Sequence, residues 1–106
     1  MSAACRKLVR DRIPEIIQSE GRRPLTHVLD EASYRQALLA KLTEEAQEAS
    51  HATTDDLPGE LADVLEVVRA LAVTAGMSWP QLLALAKDKR SRRGGFAGRI
   101  FLESVE

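Results

Sequence analysis

Residues 57–75 constrain this chain more than any other stretch. Leu61, Val64, Leu65, Val68, Leu71 and Ala72 recur there at helical spacing, and Ala62, Val67, Ala70 and Val73 fill much of the remaining circumference. A helix apolar on nearly every side needs apolar cover on nearly every side. The pattern therefore predicts helix-on-helix packing. In a chain of 106 residues it also predicts that a second copy supplies part of the cover, as a homodimer or a homotetramer. The alternative is that the other helices of the same chain enclose it.

This helix opens on two acids, Glu60 and Asp63, three residues apart and so on one face. Burying an unpaired charge is costly, so acids in an apolar helix are generally paired or bound to a metal. The helical pattern before it carries Glu44, Glu45 and Glu48, again within one turn of one another. Five carboxylates brought together would repel. A hard divalent cation removes that repulsion, and Mg²⁺ is usually held by a few carboxylates, retained waters and the oxygens of a phosphate substrate. Glu-rich helix faces are commonly nothing more than solvated surface, but the apolar surroundings of Glu60 and Asp63 argue against that reading here.

The remaining punctuation fits a small all-α domain. Asp11 is a plausible N-cap, Pro14 sits in a first helical turn, and Gly21 marks a helix end. Residues 26–29 are partly β-branched and are expected to form a minor two-stranded element with residues 99–102. A second helix starts at Asp30 or at Ser33, where Ser33 and Gln36 are spaced as a capping box, with Leu38, Leu42, Ala46 and Ala49 as its core stripe. Asp56 and Pro58 start the third helix and Gly76 ends it. Ser78 and Gln81, again at capping-box spacing, launch a fourth that turns basic at residues 87–93 and breaks at Gly94-Gly95. The fold expected is a four- to five-helix bundle in one domain, residues 1–106.

Charge and composition narrow the partners. With 15 basic and 16 acidic residues the net charge is −1, so nothing global advertises nucleic acid or an anionic membrane. Locally, Lys87, Lys89, Arg90, Arg92 and Arg93 beside a diglycine would welcome an anion. Aromatic residues make up only 4% of the chain, too few for the stacking platforms that single-stranded nucleic acids use, and Phe96, Ile100 and Phe101 read as packing residues. Trp79 reads as a core or interface anchor. Cys5 is the single cysteine, which rules out an internal disulfide framework and fits a reducing compartment. Glu66 and Arg69 interrupt the best apolar run and the N-terminus has no apolar core of signal-peptide length, so a cytoplasmic protein is expected. His27 and His51 are isolated and lack the spacing of a metal pair.

Four ordered motifs carry a more specific signal: residues 7–17 (KLVRDRIPEII), Lys41-Leu42-Thr43-Glu44-Glu45 with Glu48, residues 60–67 (ELADVLEV) and Arg93-Gly94-Gly95-Phe96. Together they span nearly the whole chain and resemble the MazG-like all-α nucleoside triphosphate pyrophosphohydrolases, in the small branch described as phosphoribosyl-ATP pyrophosphohydrolase-like. The resemblance implies hydrolysis between the α and β phosphates of a nucleotide, releasing a monophosphate and pyrophosphate, with Mg²⁺ or Mn²⁺ as cofactor. Residue by residue it assigns Glu45, Glu48, Glu60 and Asp63 as metal ligands. It leaves Glu44 either as ligand to a further metal or as partner of the attacking water, so Glu44 and Glu45 are the catalytic candidates. Lys41, Lys89 and Arg93, with Lys7 and Arg10 behind them, are the candidates for contacting phosphate.

Two departures leave the nucleobase open: the connection between the acidic motifs is short, and Gly59 stands where relatives often carry another acid. The expected substrate is a nucleoside or deoxynucleoside triphosphate, or a modified nucleotide in a house-cleaning role. The alternatives are phosphoribosyl-ATP in histidine biosynthesis, and a non-catalytic helical module binding nucleic acid through its basic C-terminal segment.

Overall fold

The computed structural model describes residues 6–106; Cys5 and everything before it lie outside them, and with them the expectations for the thiol and the N-terminus. The architecture is all-helical: α1 (Ile13–Ser19), α2 (Glu31–His51), α3 (Leu57–Thr74) and α4 (Trp79–Arg93), with no strand among the described residues.

Local chemistry explains most boundaries. The α2 start is set by Asp30, whose side chain accepts from the Ser33 N–H at 2.8 Å, an interaction that also holds the Asp30 carboxyl below its ordinary pKa. The Ser33–Gln36 capping box expected from spacing does not form, because Ser33 is already inside the helix as the donor to Asp30. The second box does form: Gln81 N–H donates to Ser78 Oγ at 3.2 Å while Ser78 N–H donates to Gln81 Oε1 at 2.8 Å. At the other end of α3, Gly76 adopts φ 75 and lets the Gly76 and Met77 N–H groups reach Val73 and Ala72 carbonyls at 3.0 and 2.9 Å, a Schellman closure. Helix α1 is capped by Arg12, not by Asp11, and without a side-chain bond. Asp56 occupies the α3 N-cap position but likewise makes no capping bond with its side chain.

Helices α2 and α3 pack as an antiparallel hairpin, and on them lie the only buried apolar residues among those described: Leu38, Val67 and Ala72. The covered stripe of α2 runs Leu38, Leu42, Glu45, Ala49, at intervals of four, three and four residues. Ala46, expected in that stripe, is exposed, and Glu45 takes its place. The register of the hairpin selects the three-residue step, and so an acid is turned into the interface.

Two further expectations are corrected. Residues 26–29 and 99–102 form no ladder; Val28 is 98% and Ile100 92% exposed. A two-stranded ribbon without apolar cover is marginal, and Arg99 at φ 53 bends the chain out of extended geometry where that ribbon would begin. Helix α3 is also not enclosed among the described residues: Leu61, Leu65 and Val73 remain exposed along one side. Helix α4 touches α3 only near its start, where Trp79 and Leu82 are partly covered and Arg69 lies 5.5 Å over the Trp79 ring, and its remainder is exposed. Phe96 and Phe101 face solvent. The radius of gyration is 18.0 Å, against about 13 Å for a compact domain of this length. No helix among the described residues is long and apolar enough to cross a membrane.

Candidate metal centre

The hairpin brings the C-terminal half of α2 against the first turn of α3, which is how two acidic signatures a connection apart in sequence become one cluster. Glu45, Glu60 and Asp63 each offer a carboxylate oxygen, and the three oxygens lie within 4.8 Å of one another. Two of these acids carry a buried oxygen with no hydrogen-bond partner, Glu45 Oε2 and Glu60 Oε2. Orphaned buried oxygens are costly for a protein to keep. A hard cation with oxygen ligands relieves that cost, so the donor set fits a divalent metal by number, by charge and by its unsatisfied valence.

Electrostatics at Glu45 point the same way. Only 8% exposed, it is the one buried charged residue among those described. Burial pushes its carboxyl above the ordinary value, and the neighbouring Glu48 pushes it further; Lys41 pulls it back and Asp63 adds to the rise. Glu48 thus sits beside Glu45 at the exposed rim of the cluster, outside the tight group of three. Positive charge reaches the acids from two sides. Lys41 Nζ lies 3.5 Å from Glu45 Oε1 and 3.6 Å from Glu44 Oε1, and Arg10 Nη2 donates to Asp63 Oδ1 at 2.7 Å. The Arg10 contact ties the segment before α1 to α3 across 53 residues of sequence.

Glu44 is not one of the trio. It lines a cavity of about 230 Å³ together with Arg6, Lys7, Leu8, Ala37, Ala40 and Lys41. Lys41 is common to cavity and cluster, so the two are adjoining compartments of one site. The cavity wall carries three basic groups, Arg6, Lys7 and Lys41, against one acid, a composition suited to an anion.

Of the residues expected from sequence, the structure brings Lys7, Arg10, Lys41, Glu44, Glu45, Glu48, Glu60 and Asp63 to this region. Lys89 and Arg93 are not among them. They stand exposed on the free end of α4, and the ion pair made there joins Arg92 to Asp88. Arg6 was missed by sequence reasoning; the signal for it was its place next to Lys7 in a basic pair at the start of a recognised motif. The Arg10–Asp63 contact left no local trace in the sequence.

Comparison with known proteins adds a narrow result. Over 50 residues, 47% of this chain, the sequence is 50% identical to an uncharacterized protein of Mycolicibacterium smegmatis, and the match spans 51% of that protein's length. No family model and no solved structure matches the chain.

Proposed function

We propose that this chain is a divalent-cation-dependent nucleotide pyrophosphohydrolase of the MazG-like, phosphoribosyl-ATP pyrophosphohydrolase-like type, cytoplasmic and homo-oligomeric. It cleaves the α–β phosphate bond of a nucleoside or deoxynucleoside triphosphate, or of a modified nucleotide. The observation that supports this best is the pair of orphaned buried oxygens on Glu45 and Glu60, held with Asp63 beside a basic cavity. Glu45, Glu60 and Asp63, with Glu48 at the rim, would hold Mg²⁺ or Mn²⁺. A bound divalent cation neutralises phosphate oxygens and makes water more acidic. The chain's own groups do the rest. Lys7 and Lys41, with Arg6, balance the charge of the polyphosphate as it grows on the departing pyrophosphate. Glu44, on the cavity wall with Lys41 3.6 Å away, is placed to orient a water and accept its proton.

The test is a pyrophosphate-release screen over standard, deoxy and modified nucleotides with Mg²⁺ and Mn²⁺. Asp63→Asn and Glu48→Gln are each expected to lower turnover by roughly 100-fold or more while circular dichroism keeps its helical signal. Unchanged turnover in both variants sinks the proposal. Phosphoribosyl-ATP belongs in the same screen, since it would use the same site. A second reading has its own support in the free basic end of α4, where Lys87, Lys89, Arg90, Arg92 and Arg93 are all exposed. It makes the chain a nucleic-acid-binding module. Salt-dependent binding whose slope falls on neutralising Lys89 and Arg93, without nucleotide turnover, would favour it.

A further inference from the structure

Every ion pair but one among the described residues joins side chains no more than four positions apart, and the exception is Arg10 with Asp63, at 2.7 Å across 53 residues. Helix geometry accounts for most of the local pairs. It does not account for this one, which depends on the path of the segment ahead of α1. Among the described residues α1 packs on none of the other helices, so the segment before it is held by Leu8 and Val9, both partly buried, and by the Arg10 pair.

Arg10 stands between two places that want a cation. One is Asp63, in the acidic cluster. The other is the basic cavity, whose wall includes Arg6, Lys7 and Leu8 from the same segment. Arg10 lies two residues past Leu8, at most about 7 Å of chain, and its long flexible stem lets the guanidinium cover a comparable distance. Lys41 joins the two places, since it lines the cavity and sits 3.5 Å from Glu45 Oε1. The pair with Asp63 is easily given up. Its side chains are 56 and 44% exposed, and such a pair biases an equilibrium by no more than about fivefold. A divalent cation carries twice the charge of Arg10 and draws on Glu45 and Glu60 as well as Asp63. Once displaced from Asp63, Arg10 has no second ion-pair partner among the described residues. A polyphosphate in the cavity suits its planar fork of donors.

We propose that Arg10 serves two anions in turn, the Asp63 carboxylate and the polyphosphate of the nucleotide, and that a divalent cation on Asp63 decides between them. The inference rests on the metal-centre reading, which stands on the orphaned oxygens of Glu45 and Glu60. While Asp63 holds Arg10, the cavity has one cation fewer to offer a phosphate chain; when Arg10 is released, it has one more. Cation and nucleotide therefore strengthen each other's binding through this side chain, by the same factor in both directions.

The test needs no turnover. In chelator, with inorganic tripolyphosphate as the probe, Asp63→Asn frees Arg10 and should bind up to about fivefold tighter than the unaltered chain in calorimetric titration. Two controls separate release of Arg10 from simple loss of a negative charge. Glu48→Gln removes a charge from the rim of the same cluster and should gain little, and Asp63→Asn made in an Arg10→Gln background should gain little over Arg10→Gln alone. An equal gain in either control, or no tripolyphosphate binding by Asp63→Asn, overturns the proposal. Both side chains are partly exposed, so the helical circular dichroism of each variant should be unchanged. In the unaltered chain the Nε–H NMR signal of Arg10 should shift when Mg²⁺ is added. A signal that stays in place while Mg²⁺ binds refutes the exchange and leaves the metal centre standing. An Mg²⁺ titration with neither heat nor any NMR shift refutes the metal centre and, with it, the trigger.

Discussion

Glu45 shows how one residue's position can set a chemistry. It occupies a core position of α2 between Leu42 and Ala49, so its charge is held where water is scarce, next to Glu60 and Asp63. Because burial raises its folded pKa, the protonated form fits the folded state better than the ionised one. The stability that this residue permits is therefore full below the ordinary carboxylate value of 4.5 and is lost as pH rises through the raised folded value. In a chelator-treated sample at pH 7, Glu45→Gln should stabilise the protein, because the buried charge disappears and an amide N–H donor replaces an unmet acceptor; a gain of about 1 kcal/mol would lift Tm by about 4 to 8 °C. The difference should vanish on acidification and reverse when Mg²⁺ is added, both readable by thermal melts. Arg10 makes the complementary case. Its guanidinium already neutralises Asp63, so a divalent cation competes with it. Partly exposed pairs are worth no more than about 1 kcal/mol, so Arg10→Gln should tighten Mg²⁺ binding up to about fivefold in calorimetric titration while weakening nucleotide binding. Weaker Mg²⁺ binding would instead make Arg10 the group that orients Asp63.

Among the elements, α4 depends most on its own ends, since only its first turn packs on α3. Its capping box is complete at Ser78 and Gln81. Ser78→Ala should cost about 1 kcal/mol and fray α4 first, seen as faster amide exchange from Trp79 onward with α2 and α3 unchanged. Equal loss of protection in all helices would mean that α4 is tied into the core after all. Capping residues were legible here because the interaction spans three residues and needs no distant partner. The Ser33–Gln36 box failed on the same rule, since Asp30 one turn earlier offered a competing cap. The strand expected at residues 26–29 failed for a different reason. β-branched residues report a preference for a half-covered surface, and this chain provides none there.

For the whole molecule, the apolar circumference of α3 announced more cover than one chain contains, and the fold leaves that demand unmet in Leu61, Leu65 and Val73. A protein whose core is completed by association gains stability by mass action. For a homo-oligomer, as proposed above, Tm should rise with protein concentration, by several degrees over a hundredfold range in differential scanning calorimetry. A Tm independent of concentration would show that one chain is thermodynamically complete.

The sequence by itself determined the helices, their ends at Gly21, Gly76 and Gly94, and the pairing of acids within each helix, because all of these depend on neighbours within about one turn. Only the tertiary structure decided that Glu45 and not Ala46 faces α3, that Arg10 meets Asp63, and that Lys89 and Arg93 stand outside the cluster of Glu45, Glu60 and Asp63. Those outcomes depend on the register of one helix against another and on the path of a connecting segment. Periodicity along a single helix carries neither, since steps of three and of four residues from Leu42 both stay on one helix face, and the pattern alone does not say whether Glu45 or Ala46 meets α3.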